Sequence, residues 1–342
     1  MNIFSIITLL GGLAFFLYGM TVLSDGLEKL AGGKLESMLK KMTSSKLKAL
    51  LLGMGITIAI QSSSAMTVML VGLVNSGIME LGQTIGLIMG SNIGTTLTAW
   101  VLSLAGIQSD QIWMQLLKPE NFSLLFALVG ALMILGAKKP KQKDIGAVLI
   151  GFAILMYGMT LMSDAVKPLA DIPEFASILT AFENPFLGVL VGAVFTGIIQ
   201  SSTASVGILI ALASTGSITF AMGIPIIMGQ NIGTCVTALI SSLGANKNGK
   251  RVAVVHISFN LIGTAVFLAI MLIVNAIVHL EFLANPMSGF NIAVFHSLFN
   301  IGSTIILLPA SKLLERIAYA VVKGENDEKE IALIDENLLN TP

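Results

Sequence analysis

Charged residues make up only 11% of this 342-residue chain, against 55% hydrophobic ones, and a soluble domain carries about twice that charged share. So little polar surface cannot cover a water-facing globule of this length, which excludes an ordinary soluble fold. Net charge is zero, with 19 basic and 19 acidic residues, so no global field attracts nucleic acid. One cysteine, Cys235, excludes an internal disulfide and a cysteine-based metal cluster. The opening Met1-Asn2-Ile3-Phe4-Ser5 lacks a basic n-region and a small-residue cleavage site, so a retained first span is expected there rather than a signal peptide. The sequence has no nucleotide-binding loop, no Ser/His/Asp arrangement and no paired catalytic carboxylates, which argues against an enzyme, and no organic cofactor is expected. What is abundant is apolar length. Mean hydropathy is +0.89, and 34 glycines against 9 prolines suit closely packed helices in a bilayer.

Nine apolar segments stand out, at 3–23, 48–76, 81–105, 121–137, 144–163, 186–215, 220–244, 252–280 and 290–309. Most have the ~20 residues that a spanning helix needs. Segments 48–76 and 186–215 are longer and carry central polar clusters, Gln61-Ser62-Ser63-Ser64 and Gln200-Ser201-Ser202-Thr203. Basic loops settle how these two lie. Loop 24–48, with Lys29, Lys34, Lys40, Lys41, Lys46 and Lys48, and loop 138–143, with Lys138, Lys139, Lys141 and Lys143, both belong in the cytoplasm by the positive-inside rule. Three crossings between them would put them on opposite sides, so segment 48–76 must enter and leave on one face as a re-entrant hairpin. Loop 164–185 is acidic (Asp164, Asp171, Glu174 and Glu183 against Lys167), and loop 245–251 carries Lys247, Lys250 and Arg251. The same argument makes 186–215 a second hairpin, and the stretch with Lys312, Arg316 and Lys323 then falls inside.

Motifs recur at a constant interval. Tyr18-Gly19-Met20-Thr21 returns as Tyr157-Gly158-Met159-Thr160, Ser24-Asp25 as Ser163-Asp164, and Gly90-Ser91-Asn92-Ile93-Gly94-Thr95 as Gly229-Gln230-Asn231-Ile232-Gly233-Thr234. The offsets 164 − 25, 200 − 61 and 231 − 92 all equal 139, so the chain is a duplication. Three crossings plus a hairpin per unit invert the second copy, and the two tips should meet near the midplane, as in secondary transporters.

At such a tip the first arm ends in free carbonyls, which suit a cation, and the second opens with free amides, which suit an oxyanion. Gln61 and Gln200 close the first arms; Ser63, Ser64, Ser202 and Thr203 open the second. Neither Lys nor Arg lies near either cluster, so a bound anion would need co-bound cations. Interhelical packing is the plainer role for Ser and Thr, but four consecutive polar residues at both matching tips favour binding. Asn92, Thr95, Asn231 and Thr234 sit mid-span beside glycines, which predicts local unwinding and exposed carbonyls. His256-x-x-x-Asn260 and His296-x-x-x-Asn300 place their polar groups on one helix face and read as a hydrogen-bonded interface more readily than as a metal site. Asp25 and Asp164, near span ends, read equally as solvated groups and as sodium ligands.

At these motifs the chain resembles the type II sodium–phosphate cotransporter family, as a bacterial member. The resemblance covers nearly all of the membrane region and rests on the two Gln-Ser-Ser clusters, the paired Asn-Ile-Gly-Thr segments and the Ala-x-x-His-x-x-x-Asn stretches. It implies phosphate contacts from Ser62, Ser63, Ser64, Ser201, Ser202 and Thr203, and sodium contacts from Gln61, Gln200, Asn92, Thr95, Asn231 and Thr234. Thr203 keeps a hydroxyl where the first cluster ends in serine, whereas Cys235 stands where the first copy has Thr96. The closing Leu333-Ile334-Asp335-Glu336-Asn337 onward resembles the lead-in to the PhoU-like helical domain of many bacterial members, a domain that this sequence does not go on to include.

The expectation is thus an all-α polytopic membrane protein of two inverted repeats, 1–143 and 144–280. A final span lies within 281–323 and a cytoplasmic tail occupies 324–342. It would move inorganic phosphate with Na+ across the inner (plasma) membrane by alternating access, in contact with membrane lipid, with no nucleic-acid partner. The N-terminus would lie outside and the C-terminus in the cytoplasm; self-association into a homo-oligomer stays open. The rival readings are a sodium-coupled carrier of another small anion and a phosphate-sensing membrane scaffold.

Overall fold

A computed structural model describes residues 3–31, 45–104, 119–166 and 183–324. Lys34, Lys40 and Lys41 of the first basic loop, Lys167, Asp171 and Glu174 of the acidic loop, and the closing stretch 325–342 lie outside the described residues. In chain order the helices are α1 (Ile3–Ala31), α2 (Lys46–Ile60), α3 (Ser63–Asn75), α4 (Leu81–Ser103), α5 (Pro119–Gly136), α6 (Pro140–Val166) and α7 (Pro185–Ile199). They continue as α8 (Ser202–Ala213), α9 (Phe220–Gly233), α10 (Cys235–Ser242), α11 (Lys247–Val278), α12 (Gly289–Leu307) and α13 (Ser311–Val321). Among the described residues the only β feature is a bridge between Thr219 and Pro286. Within the described residues, six stretches are long and apolar enough to cross a membrane: Ile3–Leu23, Leu81–Ser103, Pro140–Met162, Phe220–Ser242, Lys247–Val278 and Gly289–Leu307. Leu135, Ile198 and Ile277 are 84%, 75% and 73% exposed, an outward apolar surface that lipid covers and water would not. The chain is a multi-pass membrane protein.

Each polar cluster divides its apolar segment into two helices. Gln61 (φ 54°, ψ 24°) ends α2 and Gln200 (φ 57°, ψ 24°) ends α7, both in the left-handed region that non-glycine residues seldom adopt. The next residue is extended and caps the following helix. The Ser62 hydroxyl accepts the Ala65 amide at 3.1 Å, and the Ser201 hydroxyl accepts the Ala204 amide at 3.2 Å. Past each second arm a left-handed glycine turns the chain, Gly77 at φ 71° and Gly216 at φ 75°, again 139 residues apart.

Glycine contacts fix the helix directions. A Cβ on Gly86, Gly90 or Gly94 of α4 would lie 2.7, 1.9 or 2.8 Å from the carbonyl oxygens of Lys46, Leu50 and Met54. Helices α2 and α4 therefore run side by side in the same direction, their backbones in contact as small residues permit. Because α4 starts six positions after α3 ends, the outer ends of α2 and α3 lie at the same end of α4. The second pair repeats this against α9. There a Cβ on Gly192, Gly229 or Gly233 would come within 2.2, 2.0 or 2.5 Å of the carbonyls of Ile226, Val189 and Ala193.

The two bases lie far apart. Asn75, closing α3, accepts the Asn246 amide on its Oδ1 at 2.7 Å, and its carbonyl accepts Asn246 Nδ2 at 2.8 Å, just before α11 begins. On the other side of α11, Phe220 donates to the Asn285 carbonyl at 3.1 Å and Met287 donates to the Ile218 carbonyl at 2.7 Å. Helix α11 has 32 residues, about 48 Å at 1.5 Å per residue. Helices α1 and α6, which carry the repeated Tyr-Gly-Met-Thr motif, pack antiparallel. Gly12 meets Met162, Gly19 meets Leu155 and Gly26 meets Val148.

The structure departs from the sequence reading at the mid-span motifs. Helix α4 runs unbroken through Asn92 and Thr95, and the second copy interrupts only at Thr234, which keeps right-handed helical angles (φ −62°, ψ −24°). The glycines there serve close approach rather than unwinding. The sequence reading also did not separate α13, which lies beside the start of α11. Buried Arg251 donates from Nε and Nη2 to the Val322 carbonyl at 3.2 and 3.0 Å and stacks 4.1 Å over the Tyr319 ring.

Candidate functional site

The two helix breaks meet. One cavity of about 340 Å³ is lined by Gln61, Ser62, Ser63, Ser64 and Ala65 of the first break and by Gln200, Ser201, Ser202 and Thr203 of the second. Ile60, Met69, and Thr21 and Asp25 of α1 complete the wall. All six residues expected to touch phosphate, together with Gln61 and Gln200, therefore face one space.

The donors in it follow from the helix starts. With the Ala65 amide bonded to Ser62 and the Met66 amide bonded to the Ser62 carbonyl, the amides of Ser63 and Ser64 have no intrahelical acceptor, as at any helix start. At the second tip Ala204 and Ser205 are bonded back to Ser201, which leaves the amides of Ser202 and Thr203. The side chains of Ser63, Ser202 and Thr203 are each 7% exposed; their hydroxyls have no protein partner among the described residues and open onto the cavity. Hydroxyls that face a cavity without a protein partner are free to bond water or a polar ligand there. Both helix N-termini also add partial positive charge. The arrangement can hold an oxyanion without a cationic side chain.

The tips are not identical. The Gln61 side-chain amide is tied down: its Nε2 donates to the Ile58 carbonyl at 2.7 Å, and its Oε1 accepts from the Thr98 hydroxyl at 2.7 Å. Gln200 is exposed to the cavity, and the hydroxyl of Thr237, the counterpart of Thr98, is buried without a partner. Below the tips, Thr57 donates to Ser91 at 2.7 Å in the first copy, while Thr196 and Gln230 both donate to Ser205, at 2.7 and 2.9 Å, in the second.

Asn92, Thr95, Asn231 and Thr234 do not line the cavity. Asn92 Nδ2 donates to Asn260 Oδ1 at 3.0 Å, and Asn231 Nδ2 donates to the Ile227 carbonyl at 2.9 Å. Thr95 and Thr234 donate to the carbonyls of Ser91 and Asn231, at 3.1 and 2.6 Å. Asn260 also donates to the His256 carbonyl at 3.1 Å, and Asn300 to the His296 carbonyl at 2.8 Å, so these Asn residues bond to the turn before them. Among the described residues no three His, Cys, Asp or Glu come together in a metal-binding group.

The structure adds Thr21 to the candidate site and brings Asp25 to its wall. Their signal was present in the repeated Thr-x-x-Ser-Asp spacing, which puts Thr21 and Asp25 one turn apart on one face. Their counterparts Thr160 and Asp164 are absent from the cavity wall.

Residues 15–164 and 154–299 each match the family model described as Na+/Pi-cotransporter, and the two matches start 139 residues apart. The "Uncharacterized protein YqeW" of Bacillus subtilis (strain 168) is 30% identical over 312 residues, covering 91% of this chain and 96% of that protein. The "Putative inorganic phosphate export protein YjbB" of Salmonella typhimurium is 26% identical over 323 residues, 94% of this chain; the chain spans 56% of that protein's length. The "Sodium-dependent phosphate transport protein 2A" of Rattus norvegicus is 38% identical over 107 residues, 30% of this chain and 17% of that protein. No solved structure matches.

Proposed function

This chain belongs to the Na+/Pi-cotransporter family, a family of transporters rather than enzymes, and we propose that it carries inorganic phosphate across the inner (plasma) membrane coupled to sodium. The observation that carries this reading is that the two tips share one cavity although their bases lie at opposite ends of α11. Read in a membrane, the α2–α3 and α7–α8 pairs are re-entrant hairpins of two inverted repeats, 1–143 and 144–280. They enter from opposite faces, and a bare turn at that depth is tolerated only around a wet cavity. The antiparallel contact of α1 with α6 supports the inversion. With the basic loops on the cytoplasmic side, as the positive-inside rule favours, the N-terminus lies outside and the C-terminus in the cytoplasm.

The oxyanion sits on the amides and hydroxyls of Ser62 to Ser64 and Ser201 to Thr203. Sodium takes oxygens from Gln61 and Gln200, while Asn92, Thr95, Asn231 and Thr234 extend the cation environment behind the tips. A divalent phosphate in a cavity without Lys or Arg needs its charge offset, and co-bound sodium supplies this, so neither solute crosses well alone. Alternating access follows if the two hairpins move together with the helices packed backbone-to-backbone on them, α4 and α9–α10, past the rest of the protein, an elevator-like motion.

The test is radiolabelled phosphate flux in proteoliposomes. An inward sodium gradient is expected to drive accumulation that potassium does not, and arsenate, but not dicarboxylates, should compete. Export is the second reading, because the Salmonella relative carries that name. It is favoured if preloaded vesicles lose phosphate faster under an outward sodium gradient while an inward gradient drives no uptake. Phosphate binding with no sodium-linked flux in either direction would make the chain a sensor instead.

A further inference from the structure

Among the cavity's lining residues Asp25 is the one charged side chain. It forms no hydrogen bond or ion pair among the described residues, and its counterpart in the second copy, Asp164, does not reach the cavity. A carboxylate is an awkward neighbour for an anion, since like charges brought together are strongly penalised. The remaining wall explains why one could be useful. Free amides and hydroxyls at the tips donate to any tetrahedral oxyanion, and sulfate matches phosphate in shape. The difference between the two is a proton. At neutral pH phosphate keeps at least one O–H, whereas sulfate has none, and an ionised carboxylate is an acceptor only.

We propose, resting on the phosphate reading above, that Asp25 is the specificity residue of this cavity. Its carboxylate accepts the O–H of protonated phosphate and repels sulfate, which has no proton to donate. The tips thus supply affinity for tetrahedral oxyanions as a class, and Asp25 narrows the class to members that carry a proton, phosphate and arsenate among them. A site built around a specific hydrogen bond discriminates against an analogue that lacks it far better than one relying on shape. Asp25 is exposed at the cavity wall, so replacing it does not disturb a packed interior.

The experiment compares equilibrium binding of phosphate and of sulfate to the purified full chain in detergent with sodium present. It uses wild type, Asp25→Asn, Asp25→Glu and Asp164→Asn. Wild type, Asp25→Glu and Asp164→Asn are expected to share one strong preference for phosphate. Asp25→Asn should lower the phosphate-to-sulfate affinity ratio about tenfold or more, chiefly because sulfate binds better once the like charge is gone. An unchanged ratio in Asp25→Asn would overturn the proposal, as would a variant that shifts only the sodium concentration needed for binding, the mark of a sodium ligand. Because the readout is binding, a wild type that binds phosphate selectively but shows no flux counts against the transport reading and leaves the assignment of Asp25 standing on its own ratio.

Discussion

Gln61→Ala is expected to cut sodium-driven phosphate uptake at least about tenfold and to raise the sodium concentration needed for half-maximal rate. The side chain does two jobs in the structure. Its Nε2 holds the last turn of α2 through the Ile58 carbonyl, and its Oε1 takes the Thr98 hydroxyl while retaining a lone pair for a cation. Losing a hydrogen bond or ligand oxygen that faces a charge costs about 1.5–3 kcal/mol, which is about tenfold to more than a hundredfold in an equilibrium constant. Alanine tolerates the left-handed φ of 54° about as poorly as glutamine, so backbone strain does not change. Gln61→Gly separates the two explanations, because glycine accepts that φ freely. It should be as defective as alanine if the side chain matters, and initial rates measured against sodium concentration decide this. Wild-type rates in Gln61→Gly would reduce Gln61 to a turn residue. Ser202→Ala should act on phosphate instead, raising its half-saturating concentration while leaving the sodium dependence in place.

The second large effect is on assembly. Gly90→Ala places a Cβ 1.9 Å from the Leu50 carbonyl oxygen, and Gly229→Ala places one 2.0 Å from that of Val189. Both contacts are with backbone, which cannot swing aside, so α4 must separate from α2, or α9 from α7. Such overpacking costs about 1–3 kcal/mol as a rule, and rigid backbone contacts this close put it at the upper end. By contrast, Gly55 and Gly72 have nothing within 4 Å of an added Cβ, and alanine there gains up to about 1 kcal/mol of helix propensity. Thermal unfolding in detergent should therefore show opposite signs. Gly90→Ala is expected to fall by about 5–10 °C, and Gly55→Ala to stay level or rise. Equal behaviour of the two variants would mean that α2 and α4 are not in backbone contact.

Much of this was legible because the duplication repeats the same local chemistry. A glutamine followed by Ser-Ser inside an apolar run could serve interhelical packing in a continuous helix, but finding it twice at an offset of 139, in segments too long for one crossing, points to two tips. The structure places the interruption at Gln61 and Gln200 and the cap at Ser62 and Ser201. The glycines were misread for a physical reason. Asn92-Ile93-Gly94 is equally compatible with a broken helix and with a straight one pressed against a neighbour, and only the position of Leu50 and Met54 beside it distinguishes them. Pairings across the fold, such as Asn92 with Asn260 and Gln61 with Thr98, leave no mark in one sequence, since each partner is an ordinary polar residue in an apolar helix. Asp25 was ambiguous because its role depends on which helix face meets the tips.

The most direct test concerns sidedness. In a chain whose single cysteine has been replaced (Cys235→Ser), cysteines are introduced singly at Lys46 and Ser76, the base of the first pair, and at Asn184 and Ser214, the base of the second. An impermeant thiol reagent is then applied to sealed right-side-out and inside-out membranes. The account predicts that positions 46 and 76 react together from the cytoplasmic face and 184 and 214 together from the opposite face. If 46 and 76 reacted from different faces, or if all four reacted from one, the tips could not enter from opposite sides and the shared site would be lost.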